Sequence, residues 1–305
     1  MQIEMDMKYY INLFLEHSYV KNKRATYTIY RYIINKHISP FWKYYELQAI
    51  DDYVLIEFIE LLNNKQLKNK SIKEILLVLK GIFKLANINI IIPMPKTERT
   101  TIKIFSKDDQ SLLEELLLKD INNLNFSIFL SLYTGIRIGE LCALKYSDID
   151  YFKKTINITK TMSRVFDKEK KKTIIIMDTP KTYNSTREIP IPPFLMTYLR
   201  QLSYNEDYYL VTGNKNYMQP RSLSIKYKQL LKSINLDNYT FHALRHTFAT
   251  NCINMGSNIK TLSLLLGHKS VEITLNRYIH PDINEKMFKF QTLKNKVSHL
   301  LKKDD

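Results

Sequence analysis

Apolar side chains in the first ninety or so residues recur at the three- and four-residue spacing of amphipathic helices. The pattern predicts four helices, at residues 7–16, 24–37, 51–63 and 71–86. Asp51 or Asp52 is placed to cap the third helix, and Ser71 with Glu74 forms a capping-box pattern for the fourth. No clear strand pattern occurs in this region, so a small helical bundle is expected.

A segment without periodicity follows the four helices. Residues 91–101 contain Pro93 and Pro95, which predicts an extended linker. Ser106 is a suitable N-cap for the next helix, and Gly135 is placed to end the one after it. Apolar spacing beyond the linker predicts a second set of helices, at residues 106–118, 123–134, 138–145, 192–202 and 222–234.

The region of residues 151–190 changes to the β-branched, alternating pattern of strands. Strands are predicted at 154–159, 173–177 and 187–191, joined in one three-stranded antiparallel sheet, and a short strand is predicted at 208–211. Residues 168–172 are interpreted as a charged loop. The fold class expected from these patterns is mainly α with a small antiparallel β-sheet, an α+β arrangement.

Three short helices are predicted near the C-terminal end, at residues 240–255, 262–267 and 270–278. A final amphipathic helix is predicted at residues 283–301. Its apolar stripe needs a surface to cover it, either in this chain or on a neighbouring subunit.

Four side chains on the three short helices form a candidate site. His242 and Arg245 are three residues apart and share a helix face, while His268 and Tyr278 belong to the following segments. Arginine can bind two phosphate oxygens, histidine can transfer a proton near neutral pH, and a tyrosine oxygen can act as a covalent nucleophile. The set therefore suits chemistry at a phosphodiester.

A metal site is the weaker interpretation of the same helix. His242 and His246 have the four-residue spacing of a helical metal pair, but Ala243 stands where the zinc-protease motif has glutamate. The charge of Arg245 would also repel a dication. We therefore expect no metal and no cofactor, and we expect His246 to be a packing residue of its helix.

Several motifs in order resemble those of the tyrosine recombinases, also called phage integrases. They are TGIRIGE at 134–140, the PKT segment with STREIP at 180–190, HALRH at 242–246, LGH at 266–268 and NRY at 276–278. The resemblance covers about residues 105–290, and the combination is more specific than any single motif. It implies six catalytic residues: Arg137, Lys181, His242, Arg245, His268 and Tyr278.

By this resemblance, Arg137 and Arg245 clamp the phosphate, and their fixed charges stabilise the phosphoryl oxygens during attack. Lys181, beside a predicted hairpin turn, would protonate the leaving oxygen. Glu140, one turn after Arg137, either orients that arginine or is an ordinary surface carboxylate. Arg187 is either structural or a phosphate contact.

The histidines and the tyrosine would carry the remaining steps. The resemblance makes His242 the general base or proton shuttle, His268 a hydrogen-bond donor to a phosphoryl oxygen, and Tyr278 the nucleophile. The expected product is a 3′-phosphotyrosyl intermediate, from which a free 5′-hydroxyl rejoins the strands. The intermediate conserves the energy of the phosphodiester, so no ATP is needed.

Charge supports a polyanionic partner. The chain holds 46 Lys and Arg against 30 Asp and Glu, a formal net charge of +16, which favours nucleic acid over a membrane. The interleaved Tyr27, Tyr30, Tyr32 and Trp42 are expected mainly in a core rather than on DNA. The cations of two predicted helices are the candidate DNA contacts, namely Lys21, Lys23, Arg24, Arg31, Lys70, Lys73 and Lys80.

Together these features predict a site-specific DNA recombinase. The predicted organisation is a SAM-like core-binding domain at 1–92, a linker at 93–104, a catalytic domain at 105–280 and a C-terminal helix for subunit contact at 281–305. The chain begins almost at the four-helix region, so no additional arm-binding domain is expected. The two scattered cysteines and the absence of a signal-peptide pattern favour the cytoplasm.

The expected partners are duplex recombination sites, a homotetramer on DNA that is a monomer or weak oligomer when free, and accessory proteins. Two alternatives remain open from the sequence. One is a type IB topoisomerase-like nicking and closing enzyme, and the other is a non-catalytic DNA-binding regulator on the same scaffold.

Overall fold

The computed structural model describes residues 6–98, 102–178, 186–202 and 205–278. These residues form two compact units. The first contains residues 6–98 together with Ser163–Ile176, and the second contains the remaining described residues. The sequence-based division assigned Ser163–Ile176 to the second domain, whereas packing groups this segment with the first unit. The predicted helix at 283–301 and the proposed acid Lys181 lie outside the described residues.

The first unit is a bundle whose helices match the apolar pattern. A π-helical turn at Ile34–Ile38 connects the second helix to the third, where the sequence suggested one continuous helix over 24–37. Pro40 lies in the first turn of that third helix, where its missing N–H costs no helical hydrogen bond. The helices are α1 (Met7–Lys21), α2 (Arg24–Ile33), α3 (Ser39–Trp42), α4 (Asp52–Asn64) and α5 (Asn69–Leu85).

The two predicted caps of this unit have different outcomes. Asp51 caps α4, since its side chain accepts a hydrogen bond from the Val54 N–H. The capping box predicted at Ser71 is wrong, because α5 begins earlier, at Asn69. The N–H of Ser71 is already bonded to the Lys68 carbonyl within the first turn of α5. The helix therefore begins one turn before the capping pattern, because the backbone N–H groups that the Ser71 cap would serve already have partners in that turn.

The core of the first unit centres on Trp42, which is fully buried. Its ring contacts Phe58 and Phe83 edge to face, at centroid distances of 5.4 and 5.2 Å. Tyr27 is also buried, and Tyr30 packs at the edge of this core. Tyr32 is the exception among the aromatics expected inside, since it is 57% exposed.

Residues Ser163–Ile176 pack with the first unit through one aromatic ring and two polar contacts. The Arg31 guanidinium lies 3.5 Å from the centroid of the Phe166 ring, within the range of a cation–π interaction. The Phe166 N–H donates to the Thr28 hydroxyl at 2.8 Å. Lys168 pairs with Glu16 at 2.6 Å, between exposed side chains, so this ion pair contributes little to stability.

The second unit surrounds a buried helix. Nearly every residue of α7 from Phe126 to Thr134 is buried, and α11 packs along it. Ser106 caps α6 as predicted, because its hydroxyl accepts from the Asp109 N–H. The helices are α6 (Lys107–Lys119), α7 (Asn123–Thr134), α8 (Ile138–Ala143), α9 (Pro193–Leu199), α10 (Pro220–Lys232), α11 (Phe241–Asn254), α12 (Ile259–Leu266) and α13 (Val271–Tyr278).

The strands form two antiparallel arrangements instead of the single sheet predicted. The first has the order β1-β2-β5, in which Ile156 of β2 pairs with Ile149 and with Ile189. The second pairs only β3 with β4. The strands are β1 (Ile149–Asp150), β2 (Thr155–Ile158), β3 (Thr161–Asp167), β4 (Lys172–Asp178) and β5 (Arg187–Pro190).

The prediction of one three-stranded sheet is therefore wrong in its pairing. The strand predicted at 173–177 pairs with β3, a strand that the sequence pattern did not predict. Val165 and Phe166 are consecutive and both buried, which breaks the alternation by which a strand is recognised. The strand predicted at 208–211 is also wrong, since Tyr209 makes only isolated bridges to Lys145 and Asn214.

Gly135 ends α7 in the left-handed conformation, with φ of +64°. A Cβ at this position would lie 2.6 Å from Cδ1 of Phe248 and 3.0 Å from a methyl of Leu266. Glycine is therefore required both by the backbone conformation and by the close packing of α11 and α12 on this turn.

We expect Gly135→Ala to lower the free energy of unfolding by about 1–3 kcal/mol from backbone strain, with a further loss from the contact with Phe248. Gly256→Ala is the matched control, because Gly256 has φ of +79° and no atom within 4 Å of an added Cβ. Urea unfolding of the two variants should show the larger loss for Gly135. Equal losses would mean that packing on the turn is not tight.

Candidate active site

The end of α12 is where the charged side chains of the second unit converge. Its last carbonyls belong to Leu265 and Leu266, followed by Gly267 in the left-handed conformation. Carbonyls at a helix C-terminus lack helical partners and carry the negative end of the helix dipole. These oxygens are therefore well suited to accept hydrogen bonds from arginine.

Arg245 is held at this position by α11 and is only 2% exposed. Its guanidinium donates to the Gly135 carbonyl at 2.7 Å and to the Leu266 carbonyl at 2.6 Å. Burial, followed by the nearby charge of Arg137, lowers the pKa of Arg245 to about 9. The group stays cationic at neutral pH, so a fixed positive charge lies inside the second unit.

Arg137 precedes α8 and shares the same helix end. Its guanidinium donates to the Gly267 carbonyl at 2.9 Å and to the Glu140 carboxylate at 2.8 Å. The Arg137 backbone N–H also donates to Glu140, at 3.1 Å. The Arg137 side chain is 33% exposed. An anion from solvent could therefore reach its guanidinium, while Arg245 lies deeper.

Glu140 is almost fully buried and binds two arginines. Besides Arg137, it accepts hydrogen bonds from Arg187, at 3.1 and 2.9 Å. Burial alone would raise the pKa of this carboxyl, but the hydrogen bond and charge of Arg187, with the charge of Arg137, leave the pKa lowered. Of the two roles left open by the sequence, Glu140 therefore has the orienting geometry.

Arg187 lies in β5 and is buried in the same network. Its Nε donates to the Leu265 carbonyl at 2.6 Å, in addition to its pair with Glu140. In the part of the chain that the structure describes, three guanidinium groups thus lie around the Glu140 carboxylate and three successive carbonyls, those of Leu265, Leu266 and Gly267. Positive charge is in excess, so the site attracts an anion.

His268 lies two residues after the end of α12 and is buried. Its Nδ1 lies 2.8 Å from the Thr274 hydroxyl, which orients the ring. Burial, followed by the charges of Arg245 and Arg137, lowers the pKa of His268 to about 3. The imidazole is therefore neutral at physiological pH.

Tyr278 is the last residue of α13 and is half-buried against α11 and α12. Its hydroxyl lies 2.7 Å from Nδ1 of His246. Burial raises the pKa of the Tyr278 phenol, and the charges of Arg245, Arg277 and Arg137 oppose that effect without cancelling it. The free phenol is therefore protonated in the resting site.

Of the two histidines of α11, His246 is the one that contacts Tyr278. His246, expected to be a packing residue, contacts the Tyr278 hydroxyl and is buried. His242 is exposed, and its ring meets that of His246 edge to face at 4.6 Å. Helical spacing placed both on one side of α11, but only the docking of α13 selects which ring faces the phenol.

The candidate DNA-binding cations lie in the first unit. Three of them are exposed at the junction between the end of α1 and the start of α2, namely Lys21, Lys23 and Arg24. On α5, Lys70 and Lys80 are exposed and Lys73 is partly exposed. Arg31 differs from the others, because it is stacked on Phe166.

Neither a metal-binding cluster nor a membrane-spanning helix occurs among the described residues. Within residues 6–98, 102–178, 186–202 and 205–278, His, Cys, Asp and Glu side chains form no group of three that could hold a metal ion. In the same ranges, the helices are too short or too polar for any of them to span a lipid bilayer.

Comparison with known proteins identifies the family. The phage integrase family profile matches residues 106–285. A XerC-like tyrosine recombinase of Caldanaerobacter subterraneus subsp. tengcongensis is 31% identical over 226 residues, which are 67% of this chain and 57% of that protein. The ICEBs1 integrase of Bacillus subtilis is 26% identical over 294 residues, which are 88% of this chain and 77% of that protein. The chain thus spans little more than half of the first relative.

Solved structures with a similar fold include two integrases. The Tn1549 transposon integrase in complex with a circular intermediate DNA has a TM-score of 0.79 at 20% identity, over 95% of this chain and 99% of that chain. The lambda integrase tetramer bound to a Holliday junction has a TM-score of 0.63 at 17% identity, over 92% and 80%. They confirm the predicted fold class, mainly α with small antiparallel sheets. Because the family profile covers more than half of the sequence and includes each segment that surrounds the arginines of the site, the chain belongs to the phage integrase family.

Proposed function

We propose that this chain is a site-specific DNA recombinase that cleaves and rejoins strands with Tyr278 as the nucleophile. The Tyr278 oxygen attacks a backbone phosphorus, the bond from phosphorus to the 5′-oxygen breaks, and the DNA 3′ end becomes a phosphotyrosyl ester. A 5′-hydroxyl of another strand then attacks that ester and releases the phenol. One phosphodiester is exchanged for another, so the reaction needs no ATP.

The observation that carries this proposal is the grouping of Tyr278 with fixed guanidinium groups. Arg245 and Arg137 are already bound to the carbonyls around Gly135 and at the end of α12. Attack on phosphorus places negative charge on the non-bridging oxygens, and cations fixed beforehand stabilise that charge with little reorganisation. His268, oriented by Thr274, is proposed to donate a hydrogen bond to one of those oxygens.

Two proton transfers complete the cleavage step. An imidazole of α11 takes the phenolic proton, since both His242 and His246 lie beside α13. Lys181 is proposed as the acid that protonates the 5′-oxygen as it leaves, on the strength of its sequence motif. Without that proton the leaving group would be an alkoxide, which is a poor leaving group in water.

The DNA contacts are proposed from charge and helix geometry. Lys70, Lys73, Lys80 and Lys84 of α5 recur at intervals of three, seven and four residues, so they lie along one stripe of the helix. With Lys21, Lys23 and Arg24 they are proposed to bind phosphates of the duplex. Arg31 is proposed as a further DNA contact, and its stacking on Phe166 would hold the guanidinium in position.

The domain boundaries, the oligomeric state and the cellular location are also proposals. The core-binding domain is assigned to residues 1–92, the linker to 93–104, the catalytic domain to 105–280 and a subunit contact to 281–305. The lambda integrase was solved as a tetramer on a Holliday junction, which supports a tetramer of this chain on two duplex sites. Free cysteines at Cys142 and Cys252 fit a reducing cytoplasm.

The first test is capture of the covalent intermediate. Purified protein is incubated with sheared genomic DNA of the host and denatured, and DNA that stays bound through the protein is sequenced. The wild type should yield adducts enriched at defined sites, and Tyr278→Phe should yield none, because it lacks the attacking oxygen. Adducts formed by Tyr278→Phe would refute the assigned nucleophile, and adducts without any site preference would indicate a topoisomerase-like enzyme.

The second test concerns Lys181. We expect Lys181→Ala to slow cleavage of the captured site by about 10²–10⁴-fold. Cleavage should recover when sulfur replaces the bridging 5′-oxygen, since a thiolate leaves without a proton. Arg245→Ala is the contrasting variant, because it removes charge stabilisation and should stay impaired on both substrates. Failure of Lys181→Ala to recover would remove the acid role from this lysine.

The third test measures DNA binding against salt with a duplex of random sequence, since phosphate contacts do not depend on sequence. Each of Lys70→Ala, Lys73→Ala and Lys80→Ala should reduce the slope of log Kd against log salt by about 0.9. Lys119→Ala, an exposed lysine at the end of α6, is the control and should leave the slope unchanged. Unchanged slopes for all three α5 variants would contradict the proposed stripe.

A further inference from the structure

Two histidines lie one turn apart on α11, and only one of them contacts the proposed nucleophile. The Tyr278 hydroxyl is 2.7 Å from Nδ1 of His246. His242, to which the family resemblance gives the role of base, instead touches His246 through its ring. The assignment of the base is thus a question of geometry that the motif spacing does not answer.

We infer that His246 is the general base of the cleavage step, accepting the phenolic proton of Tyr278 at Nδ1. This inference rests on the proposed function, since it takes Tyr278 as the nucleophile. In the step, the O–H bond of Tyr278 breaks and an N–H bond forms on His246 as the phenolic oxygen bonds to phosphorus. The electron pair of the broken P–O bond leaves with the 5′-oxygen.

The position of His246 suits this role. At 2.7 Å the phenol can donate directly to the ring nitrogen, within the reach that a general base requires. His246 is 7% exposed, so little water competes for the same nitrogen. The His246 and Tyr278 rings lie 5.5 Å apart at 57°, and the His242 and His246 rings are nearly perpendicular, with centroids 4.6 Å apart.

Burial and the neighbouring charges keep the His246 imidazole neutral. Burial lowers the pKa of His246 to about 3, followed by the effects of His242, Arg277, Arg245 and His268. The imidazole is therefore neutral over the physiological range and can accept the proton from the phenol. The groups that lower its pKa lie on α11, on the short segment between α12 and α13, and on α13.

The same charges explain why the transfer would wait for DNA. Without DNA, a proton on His246 is disfavoured first by burial and then by the charges of Arg277 and Arg245, and burial raises the pKa of the Tyr278 phenol. A phosphodiester bound between the arginines brings a negative charge that offsets their field and favours imidazolium. A bound phosphate is thus expected to strengthen His246 as a base.

The test uses the duplex site recovered by adduct capture, nicked so that cleavage is irreversible, in single turnovers from about pH 6 to 9. The matched variants are His246→Asn and His242→Asn. Asparagine can keep the hydrogen bond but cannot take the proton. We expect the wild-type rate to vary little with pH. The rate of His246→Asn should rise about tenfold per pH unit, because the phenol must then ionise to solution before it attacks.

His242→Asn should keep the shape of the wild-type profile, even if its rate is lower. A His246→Asn profile parallel to the wild type would overturn the inference, since a structural role reduces the rate without changing its dependence on pH. A tenfold rise per pH unit in His242→Asn alone would also overturn it. Equal DNA affinity of the two variants and the wild type shows that the altered profile is not caused by misfolding.

A measurement without DNA separates this inference from the proposed function. In ¹⁵N-histidine NMR spectra of the full chain, the Nδ1 resonance of His246 should shift on Tyr278→Phe, because the hydrogen bond from the phenol is lost. The resonance is identified by its disappearance in His246→Asn. An unshifted resonance refutes the contact. If the contact is present but wild-type protein forms no covalent adduct, the proposed function has failed, and the base role with it.

Discussion

The second unit depends on the hydrogen bonds between arginines and the carbonyl end of α12. The carbonyl oxygens of Leu265, Leu266 and Gly267 accept hydrogen bonds from Arg187, Arg245 and Arg137, respectively. Helix-terminal carbonyls need partners, and buried guanidiniums need acceptors, so each set satisfies the other. The turn at Gly135 supplies a further carbonyl to Arg245, which connects the end of α7 to the end of α12.

This arrangement positions cations without neutralising them. A carbonyl fixes the direction of a guanidinium but leaves its full charge, and among the residues that the structure describes Glu140 is the carboxylate that pairs with Arg137 and Arg187. The excess charge has two consequences. It adds to burial, which is the larger cause, in lowering the pKa of His246 and His268, and both stay neutral. It also provides an attractive place for a phosphate. Burial and the nearby arginines thus act together to keep these two histidines neutral.

Much of the fold could be predicted from local pattern, because most helices here carry their own signals. Asp51, Ser106 and Gly135 define helix ends through side-chain caps and backbone freedom, which are properties of the sequence nearby. The strands were harder, since β3 lacks alternation and its identity depends on pairing with β4. A sheet is stabilised between segments distant in sequence, so its pairing cannot be inferred from either segment alone.

For the candidate site, sequence by itself determined the residue types and their order: the arginines, the histidines of α11, and a tyrosine at the end of a short helix. It also indicated that His242 and Arg245 share a helix face, since that follows from helical geometry. Only the tertiary structure decided that His246 meets Tyr278 and that Arg187 shares Glu140 with Arg137. Those contacts join helices and strands far apart in the chain, and their distances are set by packing, which local spacing does not encode.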